Sequence, residues 1–344
     1  MSRSLARIVK IDAITPIDGA DAIEVAHVGG WKVVVKKNEF SPDDLGVYFE
    51  IDSFLPEGNP AWQFLIDKSS RTFEECRGHV LRSVKLRGQI SQGLLLGLSV
   101  LANTAAANDP QPGCNVSDML GVLKYEPPVP ACLAGLVRGT FPSRVPKTDQ
   151  ERIQNLATEL DSWQSDKLRW EVTEKLEGSS CTFAWLDGEL HVCSRSLDLL
   201  ETEGNSLWRA ARENQIEDKL KRHLSQRNLA LQGELVGFGI QDNIYGFNKQ
   251  AFYLFDIYDV DAGRYLNATD RRLITEQLEL THVPIVFSSL ELTPDITMDQ
   301  LLSMANGESA LKKGQPREGL VFKALEKPVS FKAISNQYLL KQKS

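Results

Sequence analysis

The chain has 344 residues, 42% of them hydrophobic, and a formal net charge of −7. That length and apolar content suffice for two domains with cores of their own, and the acidic total excludes the globally basic class of obligate nucleic-acid binders. No run approaches 18 apolar residues and no apolar leader precedes a small-residue cleavage site; the five cysteines (Cys76, Cys114, Cys132, Cys181, Cys193) hold no Cys-x-x-Cys and the five histidines no His-x-x-x-His. The expectation is therefore an intracellular protein with no membrane segment, no disulfide framework and no His/Cys-caged metal. Any metal would be hard, oxygen-bound and shared with a ligand.

Residues 1–123 read as strands: Ala6 to Ile14, Ile23 to Val28, Trp31 to Lys36, Gly46 to Ile51, Val80 to Leu86 and Gly93 to Leu98. Asp18-Gly19, Gly29-Gly30, Ser41-Pro42-Asp43-Asp44 and Pro56-Glu57-Gly58 punctuate them at the short spacing of a small antiparallel barrel. The basic charge is local here, with Arg77, Arg82, Lys85 and Arg87 and no acid between Arg77 and Gln92. In the fifth strand, alternation predicts Val80, Val84 and Leu86 on one face and Ser83, Lys85 and Arg87 on the other. A five-stranded OB-type barrel that binds a phosphate backbone through Arg82, Lys85 and Arg87 is one reading, and a merely solvated strand is the other.

Residues 124–147 carry five of the fifteen prolines (Pro127, Pro128, Pro130, Pro142, Pro146), which marks a connector. In the second domain, residues 148–344, Thr148 or Asp149 is expected to cap a helix from Gln150 to Trp163 with Ile153, Leu156, Ala157 and Leu160 at helical spacing. Trp170 to Val172 then leads into a strand-like stretch around Lys175. Cys181 to Trp185 and Glu189 to Ser194 read as a hairpin closed by Asp187-Gly188, a register that carries Arg195 opposite Ser180, at the end of the Lys175 loop. Helical sequence follows over Ser206 to Ser225, Asp270 to Leu278 and Met298 to Met304, with strands at Ala230 to Val236, Phe252 to Tyr258, Gly319 to Ala324 and Val329 to Ala333.

Lys175 lies among acids, where a lysine is ordinarily a solvated surface side chain. Its weight comes from the order of five stretches: Lys175-Leu-Glu-Gly178, Ser194-Arg-Ser196, Gly233-Glu-Leu-Val-Gly237, Phe252-Tyr-Leu-Phe-Asp-Ile257, and Glu318-Gly-Leu-Val-Phe-Lys323 with Ser330-Phe-Lys332 behind it. Glu234 is an acid inside an apolar strand, which costs stability unless it is paired or functional; Phe255 could equally be a core aromatic and Glu318 a turn residue. Each stretch alone is weak. All of them in this order resemble the motifs of the covalent nucleotidyltransferases, the superfamily of ATP-dependent DNA and RNA ligases and GTP-dependent capping enzymes. Because the barrel-like part comes first, the chain most resembles the RNA ligase 5 family, with an N-terminal OB module.

The resemblance implies an α+β protein, an OB-like β-barrel followed by a nucleotidyltransferase domain of antiparallel sheets and helices. It implies an ATP-dependent RNA ligase that joins a 3′-hydroxyl to a 5′-phosphate, at nicks in duplexes, as a monomer. Lys175 would attack the α-phosphate of ATP as a neutral amine, its pKa depressed from ~10.4 by nearby cationic charge. Lys323, Lys332 and a bound Mg2+ or Mn2+ would supply that charge and neutralise the transition state. Nucleotide contacts would come from Glu174, Gly178, Arg195, Glu234, Phe255 stacked on the purine, and Arg152, with Lys147, toward the outer phosphates; Glu234, Glu318 and Asp256 would serve the metal. Glu177 departs from the pattern, since many members carry Asp or a smaller residue there. A capping-type guanylyltransferase and a noncatalytic OB-fold RNA-binding protein are the competing readings.

Overall fold

The computed structural model describes residues 4–125 and 136–341, and the chain divides into two compact units, Met1–Pro128 and Val129–Ser344. Pro127, Pro128, Pro130, Cys132 and Lys343 lie outside the described residues. Among the described residues no helix is long and apolar enough to cross a membrane.

The first unit follows from alternation. In the strand Trp31–Lys36, Trp31, Val33 and Val35 are buried while Lys32, Val34 and Lys36 turn outward, and the Gly29-Gly30 turn pairs it with Ile23–Val28 so that Val28 faces Trp31. Leu45–Phe49 runs between Ala6–Lys10 and Leu94–Gly97, over a core that includes Ile8, Val47, Phe49, Leu55 and Trp62. The expected continuous strand from Val80 to Leu86 does not form. Cys76–Val80 pairs with Ser53–Pro56 and Arg71–Phe73, whereas Val84–Leu86 folds back on Gln89–Ser91 through Arg87 (φ 50°) and Gly88 (φ 84°). Both turn residues are left-handed, the geometry that closes a two-residue hairpin. Val84 and Leu86 are consequently 43% and 42% exposed rather than turned into a barrel, and Arg82, Lys85 and Arg87 are exposed around them.

The second unit is built on two antiparallel sheets. One has seven strands in the order Val137–Thr140, Leu197–Leu199, Glu189–Cys193, Ser179–Leu186, Leu229–Gly237, Gln250–Asp259, Arg264–Tyr265; the other has four, Ile285–Glu291, Arg169–Lys175, Gly319–Ala324, Ser330–Ile334. Beneath the four-stranded sheet, Trp170, Val172, Leu320, Phe322, Phe331 and Ala333 form one core with Trp163. Phe331 stacks on Phe322 with centroids 4.7 Å apart and on Trp163 at 5.6 Å. With that face committed to the core, alternation turns Glu171, Thr173, Lys175, Val321, Lys323 and Lys332 to the other. The helix expected from Gln150 begins late, as a 3-10 turn at Ile153–Leu156 followed by Ala157–Ser165. Residues 150–152 are drawn instead along the edge strand: Lys332 N–H donates to the Glu151 carbonyl, and Arg152 bridges Lys332 in parallel. The helical stretch from Ser206 to Ser225 is two helices, Ser206–Glu213 and Ile216–Leu224, broken where Gln215 turns left-handed (φ 53°).

Candidate active site

Lys175 is the last residue of its strand in the four-stranded sheet and Ser179 the first of its strand in the seven-stranded one, so Leu176-Glu177-Gly178 is the crossover between them. Leu176 anchors it in a small cluster with Val236, Tyr245 and Val283. Gly178 is required by packing: a Cβ there would stand 2.5 Å from the Leu235 carbonyl and 2.9 Å from Glu234 Cγ. That close approach is to the neighbouring strand. Glu177 holds the crossover from the other side, its N–H donating 2.8 Å to the Tyr245 hydroxyl and its Oε1 accepting from Asp242 N–H at 3.2 Å. Burial pushes this carboxyl above its usual range.

The register Lys175↔Gly319 sets Glu318 beside the lysine, and Lys175 Nζ lies 2.8 Å from Glu318 Oε1. Glu234 projects from the facing sheet, opposite Ser180. Burial pushes the Lys175 pKa down, but the charges of Glu318 and Glu234 outweigh it and hold the ammonium above its ordinary value, with Arg152 pulling the other way. The groups that act on Lys175 most strongly within the protein are carboxyl groups, not Lys323 or Lys332. Glu234 pays for the crowding in kind, its carboxyl pushed up to about 8 by burial and by the like charges of Glu318 and Glu177, against the pull of Lys175.

Lys323 occupies a second, closed cluster. Its Nζ lies 2.8 Å from Asp256 Oδ2, donates to the Phe255 carbonyl at 2.5 Å and sits 5.7 Å above the Phe255 ring. Arg271 reaches the other Asp256 oxygen at 3.6 Å and bonds Glu171, which Arg272 also approaches at 3.4 Å. Burial and then Arg271, against the pull of Asp256, leave the Lys323 pKa lowered. Asp256, expected at the metal, therefore has both oxygens turned to cations. Phe255 lies at a β-bulge, where the register with the central strand jumps between Gln232 and Gly233. The extra residue turns the ring to the same apolar cluster as Tyr253 and Val236.

Lys332 shares the inner face, and Arg152 lies near enough to Lys175 to act on its charge. One expected group lies elsewhere. Glu174 points to the opposite face, where its carboxylate accepts from Ala310 N–H at 2.8 Å. The hairpin register holds from Leu186↔Glu189 to Thr182↔Cys193 and then ends; Arg195 pairs with Asp149 at 2.8 Å, next to Thr148, whose hydroxyl meets Ser180 at 2.8 Å. Thr148 and Asp149, expected as helix caps, tie the rim of the site instead. Arg271 and Glu171 escaped sequence reasoning although each left a mark. Arg271 shares the buried stripe of its helix with Ile274, Thr275 and Leu278, and Glu171 stands between the core residues Trp170 and Val172. Among the described residues no group of three or more His, Cys, Asp or Glu side chains could hold a metal alone, so a cation here needs oxygens from a ligand or water.

A sequence profile described as an OB-fold domain matches residues 5–98, and one described as RNA ligase matches residues 168–334. A comparison with curated protein sequences finds no match. Among solved structures, an apo variant of Naegleria gruberi RNA ligase is 45% identical, with a TM-score of 0.87 over 99% of this chain and 98% of that one. A variant of the same enzyme with AMP and Mn is 46% identical, with a TM-score of 0.88 over 98% of this chain and 99% of that one. The enzyme with PPi is 46% identical, with a TM-score of 0.87 over 99% of each chain.

Proposed function

Because this chain belongs to the RNA ligase family of covalent nucleotidyltransferases, we propose that it carries AMP on Lys175 and seals nicks in duplexes that contain RNA. It is an ATP-dependent RNA ligase. The observation that carries the assignment of Lys175 is its place at the junction of two sheets, with Glu318 at 2.8 Å, Glu234 facing it and Lys323 and Lys332 on the same inner face.

In the first step the neutral Lys175 amine attacks the α-phosphate of ATP; a P–N bond forms, the bond to the β-phosphate breaks, and pyrophosphate leaves. The amine must first lose its proton, for which Glu318 is the nearest acceptor. Lys323 and Lys332 draw the α-phosphate toward the amine and balance its developing charge, and Arg152 serves the departing phosphates. Phe255 offers the purine an apolar face. Glu234 and Glu318 are the residues that suit a hard cation: two crowded carboxyl groups, one of them kept protonated up to about 8 by burial and by the like charge of the other. When bound, Mg2+ or Mn2+ supplies charge neutralisation at the phosphate and weakens the carboxylates' hold on the ammonium. In the second step a 5′-phosphate oxygen attacks the lysyl phosphoramide; a P–O bond forms, the P–N bond breaks, and Lys175 recovers a proton. In the third, the 3′-hydroxyl attacks that 5′-phosphate, a phosphodiester forms and AMP departs.

The exposed hairpin around Arg82, Lys85 and Arg87 is the proposed strand-binding element of the first unit, since cations beside exposed Val84 and Leu86 suit a phosphate backbone with bases alongside. Incubation with α-labelled ATP and Mn2+ or Mg2+ tests the chemistry. Covalent label on the wild type but not on Lys175→Ala is expected, and an unlabelled wild type would sink the proposal. Nicked duplexes with RNA or DNA on each side test the substrate: equal sealing of all-DNA nicks contradicts it. Replacing Arg82, Lys85 and Arg87 together by Ala should leave the label intact, lower nick sealing and flatten its salt dependence by about two to three in log–log slope. Sedimentation as a single chain is the expected result for a monomer.

A further inference from the structure

Lys323 is steered by a network that reaches a helix outside the motifs. Arg271, in the helix Ala268–Gln277, has a side chain 3% exposed and spends its guanidinium three ways: on Glu171, on Asp256 Oδ1 at 3.6 Å, and on His282 Nε2 at 3.2 Å. His282 completes the arrangement by donating from Nδ1 to the Val283 carbonyl at 2.7 Å. Burial beside the guanidinium keeps this ring neutral, its pKa lowered to about 4, which suits an Nε2 that accepts from Arg271. Glu171 is fully buried and stands in register opposite Lys323.

A buried guanidinium is an expensive occupant of a helix stripe otherwise filled by Ile274 and Leu278. Its geometry explains its presence. Two carboxylates, Glu171 and Asp256, flank Lys323 from two strands; without a second cation both would draw the lysine inward. We propose that Arg271 is a positioning residue for lysine adenylylation: it occupies Glu171 and the inner oxygen of Asp256, so that the outer oxygen of Asp256 directs Lys323 to the α-phosphate. The inference rests on the reading of Lys323 given above. Arg271 touches neither nucleotide nor RNA in this scheme and acts only through the two carboxylates.

Single-turnover labelling from α-labelled ATP, with thermal melting in parallel, tests it. Arg271→Met is expected to lower the maximal rate of label formation about 10- to 100-fold, while the ATP concentration for half-maximal rate moves less than about threefold. Removing one partner of a buried pair also destabilises the fold, so the double variant Glu171→Gln with Arg271→Met carries the decision. Its charges balance again, and its melting temperature should return toward wild type while the rate stays low. Recovery of the rate along with the melting temperature overturns the proposal, because the inner oxygen of Asp256, still without its guanidinium, would then not need Arg271 for Lys323 to be directed. So does a raised half-saturation concentration at unchanged maximal rate. Lys323→Met separates the two levels: if it leaves labelling intact, the reading of Lys323 fails; if it abolishes labelling while the Arg271 variants do not, only the positioning role fails.

Discussion

The two lysine clusters of the inner face begin from the same pair and end in opposite states. Lys175 and Lys323 each place an ammonium 2.8 Å from a carboxylate, Glu318 in one case and Asp256 in the other. Burial works against the charge of both, yet the Lys175 pKa is raised and the Lys323 pKa lowered. The difference is the next group out: a second carboxyl, Glu234, faces Lys175, whereas Arg271 adds a cation beside Lys323. Lys323 is matched within the protein. Lys175 faces two carboxyl groups, Glu318 and Glu234, and a cation-bearing nucleotide would add the positive charge that favours loss of its proton.

Substitutions that break one cluster should leave distinct signatures. The largest effect is expected from Lys175→Ala, with label from α-labelled ATP lowered by about 10³-fold or more while a preformed adenylylated RNA is still sealed; loss of that sealing too would place Lys175 in the later chemistry. Next, the matched pair should carry stability and the open one should not. Asp256→Asn is expected to cost about 3–5 kcal/mol by urea unfolding, and Glu318→Gln less than about 1 kcal/mol; equal costs would erase the contrast. Glu318→Gln should also move the pH for half-maximal labelling toward acid, because Lys175 loses the partner that raises its pKa. A separate effect concerns Glu234. The folded protein holds its proton up to about 8 and the unfolded chain only to the ordinary carboxylate range. Between those values the folded state binds the extra proton, so stability falls as pH rises. The melting temperature of the wild type should therefore decline more than that of Glu234→Gln across this window, and parallel profiles would remove the Glu234 charge from the account.

Much of the fold was legible. Trp31–Lys36 and Ile23–Val28 were bounded by their alternation and by Gly29-Gly30, and the Asp187-Gly188 turn gave the register Thr182↔Cys193. Such features are local, since a period of two and a left-handed turn residue act over a few residues. The stretch from Val80 to Leu86 is not one strand because Arg87-Gly88 closes a hairpin of its own between Val84–Leu86 and Gln89–Ser91. The helix after Asp149 was misjudged because the edge of Ser330–Ile334 offered residues 150–152 backbone partners that their own spacing could not show.

The same division runs through the site. The order of the motifs singled out, by itself, Lys175, Glu234, Glu318, Lys323 and Lys332, which stand on four strands or at their ends. It could not say which charges would face one another. That Asp256 turns to Lys323 and Arg271, that Glu174 faces away beneath Ala310, and that Glu171 is closed off by two arginines depends on register across two sheets and on a helix about 100 residues from the lysine strand. Charge interactions in a buried site act through space over several ångströms, and only the tertiary structure fixes those distances.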